Sequence, residues 1–491
     1  MNSSEKMLTG IPEFDVVLRG GLPQNRIHLL EGKPGTGKTT ISLRFLMQGV
    51  EHGKRGLYIA LSETERELKA TAASHGWSLD GIDICEIVPV EADLEAQQSV
   101  LHAAEVELNK TVRLITGCVE KHQPSLLVID SVSELRLLAE DPMRYRRQII
   151  ALKQFLLQRD VTVLLLDDLT AEPQEFDLES TVHGVILLEQ RTRAFGSVRR
   201  RMRVVKMRGA DFQSGWHDFA IVKEEVLVFP SLIADEHHKE YRSEPFSSNI
   251  PELDQLLGGG LVRGNSVLLL GPSGVGKSSV ALQYSSAAVS RGDRVADFSF
   301  DESAETLLER ATGLSMAISD AIKRESVHWE RINPSRISPG EFIWKVRRQV
   351  EDRGVSIVVV DSLNSYMETM HEEEALMLQM HELLSYLGNM GVLCILVVGE
   401  SGLLSAVHDP LDVSFITDTI ILLRFYEAEG AVCKAISVVK KRPGKHESTI
   451  RDYTLTDAGV QVGPQLTNFE GVLTGTPRLV KKDSSKNDPP G

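Results

Sequence analysis

Residues 10–40 read GIPEFDVVLRGGLPQNRIHLLEGKPGTGKTT, and residues 249–279 read NIPELDQLLGGGLVRGNSVLLLGPSGVGKSS. The two segments align without a gap, because an Ile-Pro-Glu-x-Asp start, a Gly-Gly-Leu step, an apolar run and a glycine-rich loop recur in the same order. Later segments recur as well, such as LLVIDS (126–131) and IVVVDS (357–362). This internal repeat indicates duplication of a whole domain of about 240 residues.

The duplication sets the domain organisation of the 491-residue chain. We predict a first domain over residues 1–235, a polar linker over 236–248 and a second domain over 249–480. Residues 481–491 read KKDSSKNDPPG, a charged and proline-capped segment that we expect to be a disordered tail. Each domain is long enough to bury a core of its own.

Short apolar runs alternate with helical patterns inside each copy. In the first copy the runs include RIHLLEG (26–32), GLYIAL (56–61), LLVID (126–130) and VTVLLL (161–166), with amphipathic segments between them. Apolar strands separated by helices form parallel sheets that are covered on both faces. The predicted fold class is therefore α/β, with two tandem domains that each contain a mostly parallel sheet flanked by helices.

The composition excludes several classes of protein. Asp and Glu outnumber Lys and Arg by 69 to 54, a net charge of −15, which argues against nucleic acid as the default partner. The apolar stretches are far shorter than the roughly 18 to 20 residues that span a bilayer, and the N-terminus lacks the apolar core of a signal peptide. The four cysteines show no CxxC pairing, so we expect unbonded thiols. These features predict a cytoplasmic protein without membrane association.

Both copies contain a candidate phosphate-binding loop. Each loop matches GxxxxGK(S/T), follows an apolar strand and begins a helix, which is the setting that this motif requires. Glycines let successive backbone N–H groups converge on phosphate oxygens, and the helix N-terminus adds partial positive charge. The candidate nucleotide-binding residues are Gly32, Lys33, Pro34, Gly35, Thr36, Gly37, Lys38, Thr39 and Thr40 in the first copy, and Gly271, Pro272, Ser273, Gly274, Val275, Gly276, Lys277, Ser278 and Ser279 in the second.

Other side chains would complete each nucleotide site. Lys38 and Lys277 would reach the β- and γ-phosphates, while a loop hydroxyl and a carboxylate at the end of a nearby strand would hold Mg²⁺. The candidate magnesium ligands are Thr39 and Asp130 in the first copy, and Ser278 and Asp361 in the second. The predicted cofactors are ATP and Mg²⁺. The alternative interpretation of the two aspartates is that they cap the ends of their strands.

Hydrolysis also needs a carboxylate that orients or deprotonates the attacking group. Glu63 follows the strand after the first loop, and Asp301 and Glu302 follow the corresponding strand in the second copy. Carboxylates there would lie at the C-terminal edge of the sheet, beside the γ-phosphate. The alternative interpretation is that they complement the dipole at a helix N-terminus.

The pair of domains resembles the KaiC family of RecA-superfamily ATPases, the double-domain circadian-clock ATPases and autokinases. The resemblance covers nearly the whole chain and includes TGIPEFD (9–15), KMRG (206–209), FITDTIILL (415–423) and NFEGVLTGTPRL (468–479), besides the loops and the acids. It implies a ring of six subunits with ATP between neighbours. It also implies that the N-terminal domain is the steady ATPase, and that the C-terminal domain transfers phosphate onto its own serine and threonine.

The resemblance also implies roles for single residues. Glu63 matches a catalytic glutamate of the ATPase ring, and Asp301 and Glu302 match the glutamate pair of the kinase ring, with Asp301 in the place of the general base. The residues that match basic residues reaching into the neighbour's ATP are Lys206, Arg208, Lys440 and Arg442. A basic finger in trans can stabilise charge on a transferred phosphate. A solvated, charged edge strand is the alternative interpretation.

The chain departs from the family pattern at the phosphoacceptor pair. The adjacent serine and threonine fall on Ser414 and Phe415, so Ser414 is the remaining acceptor candidate, with Thr417 and Thr419 nearby. The alternative is that Ser414 only caps or packs there. We therefore predict at most one principal phosphorylation site and no ordered two-step cycle.

Two other functions fit part of the sequence. A RecA-type DNA-dependent ATPase would use the arginine run at 199–203 together with Arg191 and Arg193. A nucleotide-gated hexameric scaffold would signal to a partner protein by ring conformation, with incidental turnover. The leading prediction is a hexameric signalling or timing ATPase with serine/threonine autokinase activity.

Overall fold

The computed structural model contains two compact units that divide between Ser231 and Leu232. The residues that it describes are 5–87, 103–139, 141–169, 178–192, 196–370, 376–399, 415–473 and 478–479. The candidate phosphoacceptor Ser414 and the predicted tail lie outside these ranges. Within them, no helix has both the length and the apolar character needed to cross a bilayer.

The first unit is an α/β domain. Its strands are β1 (Lys6–Met7), β2 (Leu22–Pro23), β3 (Ile27–Gly32), β4 (Gly56–Ala60), β5 (Ile82–Glu86), β6 (Leu126–Asp130), β7 (Thr162–Asp168), β8 (Gly184–Arg191), β9 (Arg199–Met207), β10 (His217–Ile221) and β11 (Val226–Phe229). Its α-helices are α1 (Pro12–Val17), α2 (Lys38–Glu51), α3 (Glu65–Ser74), α4 (Ala103–His122), α5 (Val132–Ala139) and α6 (Pro142–Leu157). A 3₁₀-helix covers Leu178–Ser180.

Nine of these strands form one sheet, in the order β11-β10-β9-β8-β3-β7-β6-β4-β5. The six strands from β8 to β5 run parallel, and β9, β10 and β11 extend the sheet as antiparallel strands. Because β3 is central, the loop after it leaves the middle of the C-terminal edge of the parallel strands. Ligands of open α/β sheets bind at that edge.

The second unit repeats the first. Its strands are β12 (Pro245–Phe246), β13 (Leu261–Val262), β14 (Ser266–Gly271), β15 (Val295–Ser299), β16 (Val327–Arg331), β17 (Ile357–Asp361), β18 (Leu393–Gly399), β19 (Thr419–Ala428), β20 (Ala431–Lys441), β21 (Arg451–Thr456), β22 (Gly459–Gln465), β23 (Phe469–Glu470) and β24 (Arg478–Leu479). Its α-helices are α7 (Pro251–Leu256), α8 (Lys277–Ser290), α9 (Ala304–Gly313), α10 (Ile318–Lys323), α11 (Pro339–Arg353), α12 (Leu363–Thr369) and α13 (Leu376–Asn389), with a 3₁₀-helix at Ala234–Glu236. The sheet order β16-β15-β17-β18-β14-β19-β20-β21-β22 is that of the first sheet, element for element.

Burial on both faces of each sheet explains why the strands are continuously apolar. In β6, Leu126 and Val128 pack into the core on one face, and Leu127 and Ile129 into the core on the other. All four side chains are fully buried, and each contributes roughly 1.5–3 kcal/mol by leaving water. Strand β17 is divided between two cores in the same way. The predicted fold class is confirmed.

One feature differs from the sequence expectations. Cys85 on β5 and Cys118 on α4 form a disulfide, with Cα atoms 6.7 Å apart. The expectation of unbonded thiols is therefore wrong for this pair, because the strand and the helix meet over one core. Within the predicted linker, Phe246 is buried and β12 pairs with β13 of the second unit.

Candidate nucleotide sites

Each glycine-rich loop connects the central strand of its sheet to a helix. The first loop runs from Gly32, the last residue of β3, to Lys38, the first residue of α2. Gly35 and Gly37 have φ angles of +83° and +106°, and a Cβ atom at Gly37 would collide with the side chain of Ile221. Glycine adopts this backbone at low cost, and such turns bring successive N–H groups together. The local geometry therefore suits a phosphate cradle.

The loop lysines are buried against their own loops. Nζ of Lys38 donates to the carbonyl oxygen of Gly32 at 2.7 Å and lies 2.6 Å from Oδ1 of Asp168. Nζ of Lys277 donates to the carbonyl oxygen of Gly271 at 2.8 Å. Each ammonium group therefore lies against the loop that the sequence predicts to bind the β- and γ-phosphates.

Hydroxyl and carboxylate oxygens meet beside each loop. Oγ1 of Thr39 donates to Oδ2 of Asp130 at 3.1 Å, and Ser278 forms the corresponding hydrogen bond to Asp361. These are the oxygen ligands that Mg²⁺ prefers, and nucleotide sites supplement them with phosphate oxygens. Within the described ranges, no group of three or more His, Cys, Asp and Glu side chains could hold a metal alone. The residues thus fit a Mg²⁺ ion that is bound together with nucleotide.

The buried environment affects the first of these aspartates. Burial raises the pKa of Asp130 above its ordinary value, and hydrogen bonds from Tyr58 and Thr39 oppose that change. The hydroxyl of Tyr58 donates to the same Oδ2 atom. A bound cation would favour the ionised carboxylate further. The peptide bonds Asp130–Ser131 and Asp361–Ser362 are both cis.

Glu63 lies between the end of β4 and the start of α3. Thr64 is the N-cap of α3 and forms a capping box with Glu67, which fixes the chain directly after Glu63. Oε2 of Glu63 is buried and has no hydrogen-bond partner among the described residues. Burial, followed by the charges of Asp130, Glu67 and Asp168, raises the pKa of Glu63. An oxygen in this state is suited to hold a water molecule or take a proton.

The second site holds its acids differently. Asp301 accepts hydrogen bonds from the hydroxyls of Ser362 and Ser365 at 2.7 and 2.6 Å. Glu302 accepts two hydrogen bonds from the guanidinium of Arg310, at 2.8 and 2.7 Å. Burial raises the pKa of Glu302, and the charge of Arg310 opposes that change. Both carboxylates therefore have hydrogen-bond partners within the second unit.

The candidate basic fingers lie toward the opposite end of the parallel strands from the loops. Lys206 on β9 is in register with Val185, which is in register with Leu29, three strand positions before Gly32. At about 3.3 Å per residue, that separation is roughly 10 Å along the strand. In the second unit Lys440 is in register with Ile420, which is in register with Leu268. Leu268 likewise lies three strand positions before the first loop glycine.

The same basic residues bind the backbone that leads into β8 and β19. Lys206 donates to the carbonyl oxygen of Glu179, and Arg208 to that of Ser180 at 2.9 Å. In the second unit Lys440 donates to the carbonyl oxygen of Thr417 at 2.7 Å, and the corresponding acceptor for Arg442 is Phe415, also at 2.7 Å. The second pair thus lies beside the segment that follows Ser414, a residue whose own position lies outside the described ranges.

The arginine run of β9 makes contacts within its own domain. Arg201 pairs with Glu189 at 2.8 Å, and the guanidinium groups of Arg201 and Arg203 lie 4.1 and 4.8 Å from the ring centre of Trp216. Arg191 also pairs with Glu189, at 3.2 Å, and Arg193 lies outside the described ranges. The side chains that suggested a DNA-binding function are therefore partly engaged inside the first unit.

The two domains differ at one buried strand position beside the candidate site, and the sequence analysis did not predict this difference. Tyr58 and Asp297 occupy the same place in the repeat, and Tyr58 supports Asp130 through its hydroxyl. Asp297 is buried on β15, and burial, followed by the charge of Asp361, raises the pKa of Asp297 to about 8. Reading the two copies against each other could have found this exchange of a phenol for an acid. The sequence also did not indicate the contacts of Asp168 with Lys38 and of Arg310 with Glu302.

We expect Asp297→Asn to stabilise the chain, and more strongly at pH 8 than at pH 5. The unfolded chain releases this proton near the ordinary pKa of 3.8, whereas the folded chain keeps it up to about pH 8. Between these values the free energy of unfolding falls by up to about 1.4 kcal/mol per pH unit, because the folded state binds more protons. Asparagine does not titrate, so the variant avoids this fall in the free energy of unfolding. Thermal unfolding at both pH values measures the effect.

The control for this experiment is Asp320→Asn, which changes an exposed aspartate of α10 in the same unit. We expect its Tm difference from the wild type to be small at both pH values. A Tm difference for Asp297→Asn that is equal at pH 5 and pH 8 would contradict the raised pKa.

A family model described as the KaiC ATPase matches residues 7–233 and again residues 246–467. The chain belongs to the KaiC ATPase family. The two matched ranges contain both phosphate loops, both strand-end aspartates and all three candidate catalytic acids. Membership in the KaiC family supports ATP binding and ATPase activity.

Individual KaiC proteins are similar to the chain over nearly its full length. The circadian clock protein KaiC3 of Synechocystis sp. is 26% identical over 478 residues, covering 96% of this chain and 94% of that protein. The circadian clock oscillator protein KaiC of Synechococcus elongatus is 26% identical over 487 residues, covering 97% and 93%. The protein of the same name from Thermosynechococcus vestitus is 25% identical over 497 residues, covering 98% and 93%.

Proposed function

We propose that this chain is a hexameric signalling ATPase that hydrolyses ATP at its phosphate loops and phosphorylates itself on serine in the second domain. The observation that carries the proposal is the repeated grouping of a loop lysine, a strand-end aspartate and a strand-following acid at the C-terminal edge of each sheet. In the first domain these residues are Lys38, Asp130 and Glu63. Three such groups at one sheet edge are what phosphoryl transfer to water requires.

In the first site each side chain has a separate task. Lys38 offsets the charge of the β- and γ-phosphates, and Glu63 orients and polarises the attacking water through its buried, unpartnered oxygen. Thr39 and Asp130 would hold Mg²⁺, which neutralises phosphate charge when it is bound. The oxygen of the water bonds to the γ-phosphorus, the bond to the β–γ bridging oxygen breaks, the proton of the water passes to Glu63, and ADP and inorganic phosphate leave.

The position of the basic residues supports a ring with ATP between subunits. Lys206 lies about 10 Å along the strands from the phosphate loop of its own subunit. It therefore does not contact that loop as a basic finger would. A neighbouring subunit that presents Lys206 and Arg208 to the loop would complete the site. Six subunits close such a head-to-tail arrangement into a ring, as the resemblance to KaiC implies.

Transfer to serine in the second domain would follow the same chemistry with a different nucleophile. The hydroxyl oxygen of Ser414 attacks the γ-phosphorus of the neighbour's ATP, the bond to the bridging oxygen breaks, and ADP leaves. Asp301 receives the serine proton, and Lys440 offsets the transferred charge. Phe415 has no hydroxyl, so one principal site is expected.

Labelled ATP with Mg²⁺ and phosphosite mapping by mass spectrometry test this proposal on the full chain. We expect one principal phosphosite at Ser414, which is lost in Ser414→Ala and in Lys277→Ala but retained in Lys38→Ala. The matched loop lysines thus serve as controls for each other. If no phosphate is incorporated by a preparation that hydrolyses ATP normally, the function is hydrolysis alone.

A further inference from the structure

The two domains differ at one position of the helix that follows the candidate catalytic acid. Helices α3 and α9 align residue for residue, since Leu68 and Ala72 are buried at the places where α9 buries Leu307 and Ala311. At the position before the buried alanine, the first domain has a threonine, Thr71. The second domain has an arginine, Arg310, at the same position.

Arg310 can reach back to the acid because of helix geometry. Side chains on an α-helix tilt toward its N-terminus, and Glu302 lies directly before Ser303, the N-cap of α9. The guanidinium donates one hydrogen bond to each carboxylate oxygen of Glu302, at 2.8 and 2.7 Å. The two side chains are only 24% and 17% exposed. A bidentate ion pair that is shielded from solvent to this extent fixes the orientation of the Glu302 carboxylate.

Among the described residues of the first domain, no arginine pairs with Glu63 in this way. The side chain of threonine is too short to span two helical turns, and Oε2 of Glu63 has no hydrogen-bond partner among the described residues. In the second domain Asp301, the acid next to Glu302, is also paired, because it accepts hydrogen bonds from Ser362 and Ser365. The two sites therefore have the same acid in opposite states, one available and one paired.

We infer that Arg310 is a positioning residue that withholds Glu302 from ATP hydrolysis, so that a contact within the chain slows turnover in the second domain. The inference rests on the proposed role of Glu302 as a hydrolytic acid. It explains how one chain can carry two similar loops and hydrolyse ATP mainly at the first. A carboxylate with both oxygens bound to a guanidinium is a weaker base and a poorer acceptor for water.

The test uses the full chain carrying Glu63→Gln, so that the second domain supplies the remaining hydrolysis. In this background we expect Arg310→Thr, which installs the residue of the first domain, to raise kcat at least threefold with KM and nucleotide affinity unchanged. Arg310→Lys, which keeps the charge but not the bidentate ion pair, should raise kcat by a smaller factor. Adding Glu302→Gln to Arg310→Thr should abolish the gain. A merely structural role would not produce a gain that depends on Glu302.

Controls separate the inference from its premise. Arg347→Thr removes another ion pair between an arginine and a glutamate, with Glu351 on α11, and should leave kcat unchanged. Thermal unfolding shows whether each variant is folded. If Glu302→Gln lowers the residual turnover but Arg310→Thr leaves kcat the same or lower, the inference is overturned and the role of Glu302 stands. If Glu302→Gln has no effect either, the proposed role fails and the inference fails with it.

Discussion

Glu63→Gln is expected to lower hydrolysis at the first site about 100-fold or more, which is the usual worth of a positioned acid or base. The amide keeps the shape of the side chain but cannot accept a proton or polarise water as the carboxylate does. Because Lys38 and the rest of the loop are untouched, nucleotide affinity should stay close to that of the wild type. Steady-state turnover of the full chain should then fall to the residual rate of the second domain.

The matched control for this prediction is Glu65→Gln, which alters an acid two residues away that pairs with Lys69 on the surface of α3. It should leave kcat nearly unchanged, since a surface ion pair contributes little. Binding of a fluorescent ATP analogue checks that Glu63→Gln still takes up nucleotide. If turnover persists in Glu63→Gln and falls only in Glu302→Gln, the first domain is not the main ATPase.

Local motifs were enough to place much of each candidate site. The loop from Gly32 to Lys38 fixes a strand, a tight turn and a helix, and the parallel sheet brings the ends of β4 and β6 to the same edge as that loop. Asp130 ends β6 and Glu63 follows β4 closely, so their place was predictable from the chain order alone. The repeat then extended the same argument to the second domain.

Partners that depend on tertiary register were not predictable in this way. Asp168 contacts Lys38 because β7 lies beside β3 and ends level with the loop, whereas in the second domain the residue in the same register is Gly399. Arg310 meets Glu302 only once α9 is formed and oriented. The disulfide between Cys85 and Cys118 likewise requires a strand and a helix that are distant in sequence. Differences between the two copies were the available signal, and at residues 71 and 310 they were visible in the sequence.

Arg208→Ala is expected to reduce ATP turnover of the first domain about 1000-fold, within the range found for basic fingers that stabilise the transferred phosphate. The matched control is Arg66→Ala, which removes an exposed arginine of α3 and should have little effect.

With a slowly hydrolysed ATP analogue, mass measurement in solution should show six wild-type subunits. A chain that stays monomeric at micromolar concentration with bound nucleotide would overturn the ring and the finger together.

Mixing two chains whose first domains are both impaired decides whether the finger acts on the neighbour. Glu63→Gln damages the loop side of a site, and Arg208→Ala damages the finger side. In rings assembled from equal amounts of both, about one quarter of the interfaces join an intact loop to an intact finger, because the contact is head to tail. Turnover of the mixture should therefore rise well above that of either variant alone. If Arg208 instead acts within its own subunit, every site carries one defect, and mixing restores nothing.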